Sequence, residues 1–305
     1  MLSILLKSAS FVALILLGYL LKAVGFFGPQ DYKIPVKIIT NITLPCSVLV
    51  SFAAYRPDLS LLVIVGLGLG MNCVMLLAGY LLSRHKPRST RAVWINCSPS
   101  YNIGAFALPF VQSFLPPASL VGACLFDVGN ALMCNGTTFA LSKNILDGTK
   151  GLNLKRIGST LLHSVPFLSY ALMLVITIFR LPIPQKLVDF VMPAANANPF
   201  LAMLMVGMML DLKLEKAQLK DIFGIIGIRF GAALLASLAF YFWLPLPLEI
   251  RQALALLVFA PVSMVTTAFT PGAGGDPAIT ACVNSVSILI CIPSILALLM
   301  FFGAL

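Results

Sequence analysis

The chain has 305 residues, 60% of them hydrophobic and only 10% charged, with a net charge of +10 and a mean hydropathy of +1.01. Soluble domains carry about 25% charged residues, so this composition excludes a soluble fold. It also excludes the nucleic-acid binding that twenty bases against ten acids would otherwise suggest; the expected partner is a lipid bilayer.

Taking about 20 apolar residues as one crossing, the sequence predicts an all-α polytopic membrane protein. Its ten spans are 2–21, 34–54, 59–82, 91–114, 118–141, 157–180, 186–210, 219–243, 250–271 and 278–302. The first run is longer than a signal-peptide core and lacks a clear cleavage site, so it is kept as a span. The links are short, the longest running from Lys143 to Arg156. Lys22, Lys33, Lys37, Arg84, Lys86, Arg88, Arg91, Lys143, Lys150, Lys155, Arg156, Lys213, Lys216 and Lys220 all fall in odd-numbered links, whereas the even-numbered links hold only Arg56, Arg180, Lys186 and Arg251. Basic loops stay in the cytoplasm. Both termini are therefore expected on the extracytoplasmic side of a cell inner membrane.

In chain order, span two carries Asn41 beside Pro45, and span three carries Gly66-Leu-Gly-Leu-Gly70, a stretch of small residues suited to close helix packing. Span four contains Ser98-Pro99-Ser-Tyr-Asn102-Ile-Gly104-Ala-Phe-Ala-Leu-Pro109. Proline removes a backbone donor and crowds the preceding turn, and an unsatisfied polar group in hydrocarbon costs several kcal/mol. Pro99 and Pro109 therefore predict a broken helix around a polar cavity. Free N–H groups at a half-helix N-terminus attract a carboxylate, and Ser98, Asn102 and the Gly104 backbone are candidate ligands for it.

Span five carries Asp127, the lone carboxylate near the centre of a span, with Asn130 one helical turn on. A charge there is costly and marks a candidate Na⁺ or H⁺ site, or a structural partner for Arg229 of span eight. His163 of span six reads as a packing or interface histidine. Span seven brings Asn196, Asn198 and Pro199, which with Asn41 could line the cavity from the opposite side. Span nine repeats the device of span four: Pro261 and Pro271 enclose Ser263, Thr266 and Thr267. After a turn at Gly272-Ala-Gly-Gly-Asp276, in which Asp276 can cap the next helix, span ten offers Asn284 and Ser287 on one face. The seven cysteines lie singly in apolar stretches and read as free thiols, with no metal-ligand spacing and no cofactor expected.

The order of these signals repeats after five spans. Pro99 and Pro109 answer to Pro261 and Pro271, and Pro117-Ala118 to Pro277-Ala278. An odd number of crossings per unit makes the halves inverted. The expected organisation is a first repeat at 1–142, a cytoplasmic connector at 143–156 and a second repeat at 157–305.

Asn102-Ile-Gly104-Ala-Phe-Ala-Leu-Pro109 resembles the Asn-x-Gly-x-x-Gly-x-Pro motif of the auxin efflux carrier family, with Ala107 where a second glycine is usual. Ala260-Pro261, Gly275-Asp276 and Ile292-Pro293 resemble that family's last two spans. The family includes plant auxin exporters and bacterial carriers assigned to malonate. The resemblance is to the bacterial type, without a long hydrophilic loop. It implies that spans four and nine unwind and cross at the substrate site. It further implies a scaffold of spans 1, 2, 6 and 7, a transport unit of spans 3–5 and 8–10 moving in elevator fashion, and a homodimer. Asp127 with Asn130 is not part of what the resemblance implies.

The function expected on these grounds is secondary transport of a small organic anion, a mono- or dicarboxylate, with H⁺ or Na⁺ coupling through Asp127. A sodium/bile-acid-type symporter, a cation/proton exchanger and a non-transporting receptor or sensor remain alternatives. An enzyme is not expected: an intramembrane aspartyl protease needs two facing Asp residues, and a serine protease a nucleophile with its base.

Overall fold

The computed structural model describes residues 2–148, 154–210 and 219–304. Among them the chain is helical, and the sole strand-like feature is a bridge between two residues. Lys150, Lys213 and Lys216, three of the bases used to orient the chain, lie outside the described residues.

Helix α1 (Leu2–Ala23) is followed by α2 (Lys33–Ile38), which runs through a π-turn at Ile39–Thr43 into α3 (Leu44–Ala54). Helix α4 (Val63–Ser83) leads to the interrupted stretch of α5 (Arg88–Cys97), a π-turn at Ile103–Ala107 and α6 (Leu108–Phe114). Then come α7 (Pro117–Leu132), a π-turn at Met133–Thr137 and α8 (Thr138–Asp147), α9 (Leu154–Leu162), α10 (Val165–Ile178) and α11 (Gln185–Met209). The chain closes with α12 (Leu219–Trp243), α13 (Leu248–Leu257), α14 (Met264–Phe269), a 3₁₀ turn at Thr270–Ala273 and α15 (Pro277–Ala304).

Seven described helical stretches are long and apolar enough to cross a membrane: Leu5–Ala23, Lys33–Ala54, Leu59–Ser83, Pro117–Asp147, Gln185–Met209, Leu219–Trp243 and Pro277–Gly303. The other three expected spans are divided. Two of them, 91–114 and 250–271, are the spans expected to be broken; the third, 157–180, is expected as one span and is divided into α9 and α10. Ser164 adopts an extended backbone between α9 and α10, because Pro166 in the first turn of α10 cannot continue the hydrogen-bond ladder of α9. Nor do all four breaking prolines act alike. The unwound residues lie beside Pro99 and Pro261, whereas Pro109 lies inside the helix Ile103–Phe114, just after its π-turn, and Pro271 in the 3₁₀ turn after α14. Pro117–Asp147 is also bent, at Asn135 and at Gly136, whose φ of 121° belongs to glycine.

Large apolar side chains such as Leu77, Leu81, Leu172, Leu234, Leu235 and Leu238 remain exposed on the helix faces. So much apolar surface suits lipid as its solvent.

Between helices, glycine permits backbone-to-backbone contact at two seams. Along α4 and α7, a Cβ on Gly68 would overlap the Phe126 carbonyl, and one on Gly129 would overlap the Val65 carbonyl and stand 2.6 Å from the Leu69 nitrogen. Along α1 and α11, Gly18 meets the Leu204 carbonyl and Gly207 the Ile15 carbonyl in the same way. In the Gly66-Leu-Gly-Leu-Gly70 stretch only Gly68 serves such a contact; the space beside Gly66 and Gly70 is open.

Candidate functional site

The two interrupted helices meet through their unwound segments. Tyr101 and Val262 form an antiparallel bridge. The Asn102 N–H donates to the Pro261 carbonyl at 2.9 Å, and the Ser263 N–H to the Ser100 carbonyl at 3.2 Å. Ser100 takes a φ of 69°, a left-handed value that a non-glycine residue holds only when its surroundings enforce it.

Side chains supply that enforcement, because every buried backbone group released by unwinding needs a partner. Asn72 of α4 accepts from the Ser100 N–H at 2.7 Å. Asn130 of α7 accepts from the Tyr101 N–H at 3.0 Å and donates to the Tyr101 carbonyl at 2.9 Å, so its amide reads one residue as a strand partner would. The two amides also join, Asn72 Nδ2 donating to Asn130 Oδ1 at 3.2 Å. In the second segment, Ser287 Oγ of α15 accepts from the Val262 N–H at 3.1 Å, and Ser263 Oγ caps α14 by accepting from Val265 N–H.

Arg229 of α12 occupies the back of the crossing. It is 2% exposed. Its Nη1 donates to the carbonyls of Cys97, Ser98 and Pro99 at 3.1, 2.6 and 2.9 Å, its Nη2 to that of Ala260 at 3.0 Å, and the guanidinium lies 4.6 Å from the centre of the Tyr101 ring. The structural pairing of Arg229 with Asp127, one of the alternatives open from the sequence, does not occur. The guanidinium serves carbonyls, whereas the Asp127 carboxylate accepts from Asn130 Nδ2 on one oxygen and from the Tyr170 hydroxyl of α10 on the other, both at 2.8 Å.

In front of the crossing lies a cavity of 270 Å³, walled among others by Asn41, Asn102, Gly104, Asp127, Tyr170 and Ser263. Asn102 stands at the N-terminus of the apolar helix Ile103–Phe114, yet its side chain does not cap it. The amide is therefore available to a guest. Gly104 allows close approach: a Cβ there would sit 3.4 Å from an Asp127 oxygen and 3.6 Å from the Tyr170 hydroxyl.

The remaining candidates stand elsewhere. Ser98 is wholly buried behind the crossing, its hydroxyl pressed toward Gly79. Thr266 is buried within α14 and Thr267 donates to the Met264 carbonyl; neither faces the cavity. Asn196 is exposed on α11 and does not line it, whereas Asn198 is buried, accepting from Thr43 at 2.9 Å and donating to Gln112 of α6 at 3.0 Å. Asn284 and Ser287 support span nine from behind through Ser287, which donates to the Asn284 carbonyl at 2.7 Å. His163, expected as a packing or interface histidine, stands at the rim of the cavity with Asn135.

Sequence reasoning passed over Asn72, Tyr170 and Gln112. Asn72 sits in a glycine-rich stretch read for packing alone, and only its solitary amide at membrane depth could have flagged it.

An all-helical polytopic membrane protein with two interrupted, crossing helices is thus the class that fold and site define. It is 24% identical over 228 residues to an uncharacterized transporter of Methanothermobacter thermautotrophicus, a stretch covering 72% of each chain. No family model matches the chain.

Proposed function

We propose that the protein is a secondary transporter of a small organic anion, a mono- or dicarboxylate, of the auxin efflux carrier type. The observation that carries the reading is the uncapped amide of Asn102, set at the N-terminus of Ile103–Phe114 and facing the cavity. Backbone N–H groups at such a terminus favour negative charge, and an amide Nδ2 adds a donor to it. The similarity to a transporter of Methanothermobacter thermautotrophicus supports transport as the general activity. In proteoliposomes the wild type is expected to take up a carboxylate such as malonate, and Asn102→Ala to weaken that uptake at least tenfold. Unchanged uptake removes Asn102 from the site.

In this reading the halves are inverted repeats, and α1, α2, α3, α9, α10 and α11 form a scaffold against which the crossing and its supporting helices move as an elevator, in a homodimer with both termini outside. The hydrogen bonds from Tyr170 to Asp127 and from Gln112 to the Ala195 carbonyl at 2.9 Å then join moving to fixed parts. A buried carboxylate with an amide and a phenol as its partners is suited to exchange a proton or to hold Na⁺, and this observation also favours the second reading, a cation/proton exchanger. Asp127→Asn is expected to remove the dependence of uptake on the ion gradient while leaving carboxylate binding within about threefold. Dependence that survives makes Asp127 structural. Binding without flux across vesicles identifies a receptor instead.

A further inference from the structure

Among the described residues Arg229 has no carboxylate partner, and its four carbonyl acceptors cluster where α5 and α13 stop at the crossing: Cys97 closes α5, Ser98 caps it, and Pro99 and Ala260 lie in the unwound segments that follow the two half-helices. Each helix C-terminus carries roughly half a negative charge, and both lie behind the bridge that presents Asn102 to the cavity. Left alone, these ends would set about one unit of negative potential behind a site read as taking an anion, in surroundings too apolar to screen it. One guanidinium balances both. Arginine keeps its proton even when buried, and its fork of N–H groups serves two chains at once.

We propose that Arg229 is the positioning residue that sets the charge preference of the crossing: it neutralises the carbonyl ends behind the bridge, so that the field reaching the guest is that of the N–H groups at Ile103–Phe114 and the Asn102 amide. This inference rests on the reading of the cavity as an anion site and specifies why that site takes a carboxylate in preference to a neutral isostere. Arg229 touches no guest itself. Tyr101, whose backbone forms the bridge and whose ring lies against the guanidinium, fixes its distance from the site.

The test is equilibrium binding of malonate and of malonamide, its uncharged isostere, to the full-length protein in detergent. The wild type is expected to bind malonate at least tenfold more tightly than malonamide. Arg229→Lys keeps the charge and loses the fork, and is expected to melt at a lower temperature while keeping that preference. Arg229→Gln keeps hydrogen-bond donors and loses the charge, and is expected to weaken malonate binding at least tenfold and to bring the two compounds within about twofold. Equal losses in the Lys and Gln variants, or an unaltered preference in the Gln variant, overturn the proposal and leave the anion reading standing. Equal binding of malonate and malonamide by the wild type overturns the inference together with the anion reading, because no charge preference then exists to be set. A wild type that binds neither malonate nor any other mono- or dicarboxylate overturns the anion reading and this inference together.

Discussion

Replacing Asn130 by leucine is expected to abolish carboxylate uptake and to lower the melting temperature in detergent by about 5 °C or more. Leucine fills nearly the same volume, so the loss is one of hydrogen bonds. Tyr101 N–H and Tyr101 C=O lose their partner together, and Asn72 and Asp127 each lose a contact. Each buried polar group left unsatisfied costs about 1–3 kcal/mol, and the Tyr101 pair finds no helical partner while Ser100 and Asn102 remain bonded to the Pro261–Ser263 segment. Asn130→Asp separates the two roles: it keeps the acceptor for Tyr101 N–H, loses the donor to Tyr101 C=O, and puts a second acid beside Asp127. It is expected to bind carboxylate more weakly than the wild type and to melt between wild type and the leucine variant. If Asn130→Leu melts as the wild type does, something other than this amide holds the break open.

Gly129→Val is expected to be the most destabilising single substitution among the glycines of the α4 and α7 seam. Overpacking a core commonly costs about 1–3 kcal/mol because neighbouring side chains can yield. At Gly129 the obstacle is the backbone of α4, whose Val65 carbonyl and Leu69 nitrogen cannot rotate away. The two helices must part, and they take with them the asparagines that hold the first unwound segment. Little folded protein is expected on purification. Gly70→Val is the control, since the space beside Gly70 is open; its melting temperature is expected to stay within about 2 °C of wild type. Equal behaviour of the two variants would mean that the seam tolerates a side chain.

The parts of this architecture that were legible beforehand are those that a single residue betrays. An amide or an acid in an apolar run has to be satisfied somewhere, and that rule alone singled out Asn102, Asp127 and Asn130. Proline announces a lost donor, which marked the interruptions beside Pro99 and Pro261. What could not be read is where partners come from. Arg229 was one possible structural partner for Asp127; that it serves carbonyls at the ends of two other half-helices depends on tertiary placement that no spacing encodes. Asn196 and Asn198 differ by two positions on α11, hence by roughly 200° around the helix axis. Which of them turns inward was not fixed by the apolar pattern, and it is Asn198 that reaches Gln112 and Thr43. Pro109 and Pro271 differ from Pro99 and Pro261 for a related reason: a proline after a π-turn, a proline in a 3₁₀ turn and a proline at an unwound segment look alike in one dimension.

The reciprocal glycine contacts of α4 and α7 have a mechanical corollary. Two rods keyed into one another through main-chain atoms, without compressible side chains between them, have no play along their length. Asn72 hangs from one rod and Asn130 from the other, and both grip the same loop. Any displacement of this loop must therefore draw both rods along as a single rigid body, and the loop cannot shift against either rod alone without breaking an amide contact.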